Sequence, residues 1–260
     1  MKHDYIDKYS DIDSFLHRRD SRVKIISFVA SVVFIVLSNP EAYISFAMYG
    51  CLVAILILLS KIPLKHILKR SISIIPFVLV VAIFVPFLKE GETVWHLPIG
   101  RWNLKVTHEG LSLFWNIIIK AYLSTLCMIL LMASMRFVRL LKALEEMKLP
   151  KIIVMIFSFM YRYIFVLQDE LEKMKRAKES RSIDGGIWFN IRVLSNMLGV
   201  LFIKSYEKGE SVYLAMCSRG FDGTIRTFER SKLTGTDAFF LSAVIIMLAS
   251  IRILCEGLRY

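Results

Sequence analysis

A nine-residue phrase occurs twice in the sequence. Residues 177–185 read AKESRSIDG and residues 215–223 read AMCSRGFDG, so both have the form Ala-x-x-Ser-Arg-x-x-Asp-Gly, 38 positions apart. Each phrase places one arginine among small residues, and Glu172 and Glu210 precede it at the same offset. An arginine pairs with a carboxylate through two parallel hydrogen bonds, and small neighbours let it enter a narrow groove. This arrangement predicts docking onto a partner.

A simpler interpretation is that the phrase is a helix stop used twice. A basic residue in the last turn complements the helix dipole, and an Asp-Gly pair ends the helix because glycine adopts the left-handed conformation. This interpretation explains the arginine and the glycine, but it does not explain the alanine three positions before the serine or the 38-residue register. Two equal tips suit a partner with two equal grooves, such as a dimeric motor beneath a membrane.

The sequence lacks the motifs of ATP hydrolysis and of common metal sites. It contains no Gly-x4-Gly-Lys-[Ser/Thr] phosphate loop, no His-Glu-x-x-His and no Cys-x-x-Cys pair. The histidines are scattered along the chain, at His3, His17, His66, His96 and His108. We therefore expect no catalytic residue, no metal site and no cofactor bound by this chain.

The composition is that of a membrane protein. Of the 260 residues 56% are hydrophobic, and the formal net charge is +12. Soluble domains are about 45–50% apolar, and a basic excess in so apolar a chain follows from the rule that cytoplasmic loops are positive. No nucleic-acid recognition motif is present, so we do not expect nucleic acid as a partner. The polar N-terminal residues up to Lys24 predict no cleaved signal peptide.

The apolar runs predict an all-α membrane protein with about five transmembrane helices. Residues 1–135 form the first membrane region and residues 237–260 the last span. The four spans of the first region are predicted at about 25–38, 42–60, 71–88 and 111–135. Three residues are notable within them. Pro76 and Pro86 should both kink the third span. Lys120 in the fourth span should have a structural role, by snorkelling or by pairing inside the bundle.

Basic loops set the predicted orientation. Residues 2–24 and 61–70 are rich in Lys and Arg and should be cytoplasmic, which places the N-terminus inside. The segment 89–110, with its tryptophans, should then lie outside.

Residues 136–236 are predicted to be a cytoplasmic coupling region, because dense mixed charge surrounds two apolar-rich helical stretches. These helices are expected at about 151–181 and 190–219, and a shorter amphipathic stretch at 137–147 precedes them. An alternative is that 152–167 and 191–203 are two further spans. The charges Arg162, Arg192 and Lys204 favour helices lying under the membrane.

The chain resembles a known family along essentially its whole length. Arg162-Tyr163 before a charged helix, Ser-Arg-Ser at 180–182 and Ala-Met-x-Ser-Arg-Gly-Phe-x-Gly at 215–223 are similar to the transmembrane T component of energy-coupling factor (ECF) transporters. The N-terminal IDKYSDIDSFLHRRDSRVK, residues 6–24, resembles the cobalt-type CbiQ branch. The family usually has alanine where this chain has Ser180 and Ser218, and serine keeps that position small.

This resemblance implies a non-catalytic subunit of an ATP-driven uptake transporter in a prokaryotic cell membrane. Its partners would be two ATP-binding-cassette ATPases, which bind the ATP, and a membrane-embedded substrate-binding (S) subunit, most plausibly for cobalt or nickel ions. The resemblance implies that two arginine tips seat in grooves of the ATPases. The residues that carry over to this coupling are Ala177, Ser180, Arg181, Ser182, Ala215, Ser218, Arg219 and Gly220.

Three alternatives remain open from the sequence. Within the family, the cargo could be a vitamin. Outside it, the chain could be a membrane-embedded enzyme or a membrane scaffold with no transport role. The enzyme is disfavoured because the apolar runs of the predicted spans, the last of them 238–254, contain no acidic residue.

Overall fold

The computed structural model describes residues 14, 16, 19–39, 43–88, 93–99, 102–181, 186–223 and 234–257. Within these ranges the chain is predominantly helical, which confirms the all-α membrane fold class. The helices are α1 (Ser21–Val36), α2 (Tyr43–Ser60), α3 (Leu64–Ile72), α4 (Ile75–Ala82), α5 (Val85–Leu88), α6 (His108–Ala133), α7 (Phe137–Glu146), α8 (Lys151–Ser180), α9 (Ile187–Cys217) and α10 (Gly235–Gly257).

A short antiparallel hairpin interrupts the helical pattern between α5 and α6. Its strands are β1 (Thr93–Ile99) and β2 (Trp102–Thr107), with Ile99 opposite Trp102 at the turn end. The sequence analysis predicted only an external loop here. Both segments are rich in β-branched and aromatic residues, which favour extended backbone.

The chain divides into two compact units, Leu141–Arg230 and Asp4–Leu140 together with Ser231–Tyr260. These limits fall within six residues of the predicted region boundaries at 135/136 and 236/237. Which parts lie in the membrane stays a prediction.

Helix α6 is the centre of the unit that contains the chain's first and last helices. It contacts α1, α2, α3, α4 and α5, and α10 packs against α1 and α2. The best-buried side chains of this core include Phe28, Tyr49, Cys127, Leu130 and Leu248, each at most 1% exposed. Burial of apolar surface around α6 therefore holds the unit together.

The predicted third span is broken, as its two prolines indicated. Pro76 lies in the first turn of α4 and Pro86 in α5, so the apolar run becomes two short helices after α3. Proline lacks an N–H donor and cannot continue a preceding helix. The segment packs tightly on the start of α6, since a Cβ added at Gly110 would lie 2.7 Å from the Cα of Pro86.

Two lysines bind the ends of the antiparallel pair α1 and α6. Lys120 of α6 donates through Nζ to the carbonyl oxygens of Val36 (2.9 Å) and Ser38 (2.6 Å), at the C-terminal end of α1. At the opposite end Lys24 of α1 donates to the carbonyl oxygen of Ser134 (3.1 Å), the residue that caps α6. The structural role predicted for Lys120 is thus a cap on carbonyls that have no partner within their own helix.

Four helices in the described part of the chain are long and apolar enough to cross a membrane. They are Glu109–Ala133, Lys151–Ser180, Ile187–Cys217 and Gly235–Leu254, with Ile44–Ser60 as a shorter apolar helix. The second and third of these are α8 and α9, which the sequence analysis placed under the membrane. Length and composition therefore leave both arrangements of α8 and α9 open.

Candidate partner-docking site

A tight turn after α7 sets the start of α8. Lys148 has a positive φ of 71°, the N–H of Lys148 donates to the carbonyl of Glu145 (3.0 Å), and the N–H of Leu149 donates to that of Leu144 (3.1 Å). This pair of bonds is a Schellman motif, which ends a helix and turns the chain. Pro150 then caps α8. Leu149 and Pro150 therefore mark where α7 gives way to α8.

The first phrase forms the C-terminal end of α8. Ala177 and Ser180 are exposed residues of its last turns, and Arg181 caps the helix with φ −86° and ψ −4°. Ser182, which was assigned to the same tip, lies outside the described residues.

The second phrase forms the C-terminal end of α9. Ala215 lies in the last turn, and Ser218, Arg219 and Gly220 follow the helix, all of them exposed. Helix α9 begins at Ile187, three residues before the predicted start at 190. It ends at Cys217, two residues before the predicted end at 219.

Gly220, rather than Asp222-Gly223, ends α9. Gly220 has φ +76°, its N–H donates to the carbonyl of Cys217 (3.0 Å), and the N–H of Phe221 donates to that of Met216 (3.1 Å). These bonds make a second Schellman motif. Gly223 also has a positive φ, +81°, and turns the chain again after the helix has ended. The expectation that the Asp-Gly pair terminates this helix was therefore wrong by three residues.

The two tips share their local hydrogen bonds as well as their sequence. The Ser180 hydroxyl donates to the carbonyl of Arg176, and the Ser218 hydroxyl donates to the carbonyl of Leu214, at 2.9 Å in each case. The backbone N–H of each arginine also donates to the carbonyl three residues earlier, at 3.2 Å for Arg181 and 3.0 Å for Arg219. As far as the arginine, the repeated phrase thus makes the same local hydrogen bonds twice.

Both arginine side chains are exposed and available to a partner. In the described residues neither guanidinium forms a hydrogen bond or an ion pair. The terminal carbonyls of α8 and α9 are bonded by the serine hydroxyls and by backbone N–H groups instead. Each arginine contributes only its backbone N–H to the helix end. No guanidinium bond closes either helix among the described residues, and both interpretations of the phrase stay open.

The two tips lie far apart. Arg181 and Phe189, near the start of α9, line the same groove, whereas Arg219 follows the end of that helix. Helix α9 has 31 residues, so at 1.5 Å per residue the tips are separated by about 45 Å. A single small ligand cannot contact both arginines.

The groove gives the first tip surroundings that the sequence did not predict. It lies between the end of α8 and the start of α9 and has a volume of about 530 Å³. Its walls are Met174, Ala177, Lys178, Glu179, Arg181, Phe189, Val193 and Met197. The apolar three- and four-residue spacing on both helices is the sequence signal that could have indicated a shared surface there.

An ion pair joins the two long helices away from their tips. Lys204 of α9 pairs with the carboxylate of Glu170 of α8, which Lys173 also approaches at 3.5 Å. The sequence analysis noted Lys204 only as a charge that disfavours a membrane span. Lys204 and Glu170 carry opposite charges, and each lies in the interior of a long helix. This was the signal in the sequence that could have indicated the pair.

No cluster of His, Cys, Asp and Glu side chains among the described residues could hold a metal ion. Of the five histidines, His3 and His17 lie outside those residues, His66 lies in α3, His96 in β1 and His108 begins α6.

Comparisons with known proteins agree with the resemblance read from the sequence. The family model of CbiQ, described as cobalt transport protein, matches residues 13–229. The energy-coupling factor transporter transmembrane protein EcfT of Clostridium kluyveri is 30% identical, over 96% of this chain and 95% of its own length. EcfT of Limosilactobacillus fermentum is 29% identical, over 91% of both chains. An uncharacterized protein of Methanocaldococcus jannaschii is 28% identical, over 98% of this chain and 87% of its own. The chain therefore belongs to the CbiQ/EcfT family of multi-pass membrane transporter components.

Proposed function

We propose that this chain is the transmembrane coupling subunit of an ECF-type uptake transporter, which transmits the movements of two ATPases to a substrate-binding membrane subunit. The observation that carries the proposal is the pair of matched tips. Arg181 and Arg219 are exposed and share their local hydrogen bonds. Arg181 ends α8 beside the start of α9, and Arg219 follows the end of α9. Their separation of about 45 Å suits two separate grooves on a dimeric partner.

Each arginine anchors one ATPase in this mechanism. The guanidinium binds acidic or carbonyl groups of a groove through paired hydrogen bonds, while the small residues Ala177, Ser180, Ser182, Ala215, Ser218 and Gly220 let the tip enter. The ATPases bind ATP, and their closure draws the two grooves together. The force then acts on the ends of α8 and α9, which Lys204 and Glu170 hold to each other.

The apolar surfaces of α8 and α9 contact the substrate-binding subunit or lipid. No residue of α9 is buried within the chain, and Trp188 and Phe202 are 84% and 74% exposed. Large apolar side chains in such number mark an interaction surface. Movement of these helices shifts the subunit that rests on them.

The chain itself is non-catalytic and binds no cofactor. Its sequence has no phosphate-binding loop, which supports this assignment. Turnover of ATP belongs to the partner ATPases.

Cobalt or nickel ions are the proposed cargo, with the metal bound by the substrate-binding subunit. The family description of CbiQ and the N-terminal phrase of residues 6–24 support this choice. A vitamin is the alternative within the family. Uptake of radioactive Co²⁺ and Ni²⁺ by cells that express the whole transporter tests the metal-ion cargo. If the cells take up neither ion, the cargo proposal is wrong and a vitamin becomes the better choice.

The proposed location is a prokaryotic cell membrane, with the N-terminus in the cytoplasm. The basic residues at 2–24 and 61–70 support this orientation.

Purification of the assembled complex tests the coupling function. The chain is co-expressed with the ATPases and the substrate-binding subunit from its own genome, extracted in mild detergent and weighed by native mass spectrometry. We expect two ATPase copies with one copy of this chain, and ATP hydrolysis only by the complex. Steady hydrolysis by the isolated chain, or a complex that contains no ATPase, would contradict the proposal.

A further inference from the structure

We propose that α3 and the lysine that precedes it form a binding site for anionic phospholipid headgroups at the membrane surface. The inference concerns a different part of the chain from the arginine tips and does not depend on ATPase docking.

Helix α3 has a buried face, an exposed apolar face and a basic face. Ile67 and Ser71 are each 1% exposed and lie on the face that packs toward α6. Leu64, Leu68 and Ile72 recur at four-residue spacing and are 56%, 48% and 62% exposed. An exposed apolar stripe on a short helix of a membrane protein needs a cover, and lipid chains supply one.

A basic stripe runs beside the apolar one. Lys65 and Lys69 each follow a leucine of that stripe and share its four-residue spacing, and Lys61 lies one further step before them. Consecutive helical residues are about 100° apart, so the two stripes are neighbours on the helix surface. Arg70 adds a fourth exposed cation, beside Lys69 in the last turn of α3.

These four cations are uncompensated. The sequence has no Asp or Glu between Glu41 and Glu90. Within the described residues none of the four forms an ion pair or a hydrogen bond through its side chain. Lys65, Lys69 and Arg70 lie within about 8 Å of helical rise in α3, and Lys61 lies three residues before that helix, so the positive charge is concentrated.

The position of the cluster selects a lipid rather than a soluble anion. Lys61 directly follows α2, an apolar helix that ends at Ser60. Basic residues at the cytoplasmic end of a span attract anionic headgroups, and an amphipathic helix with cations beside its apolar face lies in the plane of the interface. The phosphate would contact the lysines while the acyl chains cover the leucines.

An apolar cleft lies beside the end of α3. It has a volume of about 70 Å³ and is lined mainly by Ile74, Val78 and Leu79 on one side and by Ile118 and Tyr122 of α6 on the other. This cleft adds apolar surface at the C-terminal end of α3.

Lipid titration of the purified full-length chain tests the site. Native mass spectrometry counts bound phosphatidylglycerol and, in parallel, bound phosphatidylcholine. We expect selective retention of phosphatidylglycerol, and about a hundredfold weaker retention in Lys61→Gln/Lys65→Gln/Lys69→Gln. The matched control is Lys173→Gln/Lys175→Gln/Lys208→Gln, which removes the same charge from exposed lysines of α8 and α9 and should leave retention unchanged.

Two further arms identify the ligand. Leu64→Gln/Leu68→Gln keeps every cation but should weaken retention, and excess inorganic phosphate should not displace the lipid, because the apolar stripe contributes to binding. Equal loss in the control triple variant, equal retention of the two lipids, or displacement by inorganic phosphate would each overturn the site. Loss of ATPase co-purification in the Lys61, Lys65 and Lys69 variant with unchanged lipid retention would assign the patch to a protein partner and also overturn it.

Discussion

Lysine side chains bind helix ends in the unit that contains α1 and α6. Lys120 donates to two carbonyls at the end of α1, and Lys24 to the capping residue of α6. Each cation lies near the negative end of a helix dipole, where it is favourable. Neither bond is visible in local sequence, because the partners are 82 to 110 residues apart.

Replacing Lys120 with Met should destabilise the unit. The change removes both donors to α1, and a hydrogen bond from a charged group contributes about 1.5–3 kcal/mol, reduced here because the side chain is partly exposed. We expect a lower midpoint of thermal unfolding in detergent, with Lys175→Met on α8 as the control. An unchanged midpoint would show that the cap is dispensable.

Lys24 gives the protein a stability that changes with pH. Its side chain is buried, and burial, followed by the charge of Arg139, lowers the pKa of Lys24 from 10.5 to about 8, while Asp20 and Asp237 oppose the shift. Between pH 8 and 10.5 the unfolded chain holds a proton that the folded one has released, so the free energy of unfolding rises with pH, by up to about 3 kcal/mol.

Unfolding of the wild type and of Lys24→Met, followed from pH 7.5 to pH 10, measures this contribution. As the pH rises, the free energy of unfolding of the wild type should increase relative to that of Lys24→Met. Parallel profiles would mean that Lys24 does not titrate in this range.

At the scale of elements, the glycine after α9 decides where the second tip begins. Gly220 has a left-handed backbone, whereas Gly209 lies inside the helix, and a Cβ at either position meets no atom within 4 Å. Gly220→Ala should therefore loosen the helix end by about 1 kcal/mol, while Gly209→Ala should stabilise α9 by about 0.5–1 kcal/mol.

Amide hydrogen exchange in residues 212–221 distinguishes these outcomes. We expect faster exchange in Gly220→Ala and equal or slower exchange in Gly209→Ala. Faster exchange in both variants would indicate that the Schellman motif is not what holds the tip.

Much of the helical structure was predictable because apolar runs and prolines act locally. The broken third span follows from Pro76 and Pro86, and the ends of α8 were predicted to within one residue. Helix α9 starts three residues and ends two residues before its predicted limits, and Gly220 rather than the Asp-Gly pair turns the chain at its end. The matched tips could be found from sequence alone. The groove beside Arg181 could not, since it arises from the packing of α9 on α8.

At the scale of the whole molecule, the basic loops predict the orientation of the chain in the membrane. In a variant with its native cysteines replaced, Glu92→Cys should react with a membrane-impermeant maleimide in intact cells, and Ser182→Cys should react only after lysis. If α8 and α9 were membrane spans, the segment between them would be outside. Labelling of Ser182→Cys in intact cells would therefore contradict the cytoplasmic position of the first tip.

The central claim is that Arg181 and Arg219 are equivalent anchors for two ATPases. The variants Arg181→Glu, Arg219→Glu and the double variant retain the apolar helices, so membrane insertion should persist. Loss of one charged hydrogen bond, about 1.5–3 kcal/mol, weakens docking about ten- to a hundredfold, and reversal adds repulsion from an acidic groove. Arg192→Glu/Lys208→Glu, on the exposed surface of α9, is the matched control.

The decisive measurement is a pull-down of the ATPases with these variants, quantified against the membrane-inserted chain. The account predicts partial loss of ATPase in each single variant, complete loss in the double variant, and full retention in the control. A double variant that keeps its ATPases and still transports would contradict it, and would return the repeated phrase to the role of a helix stop.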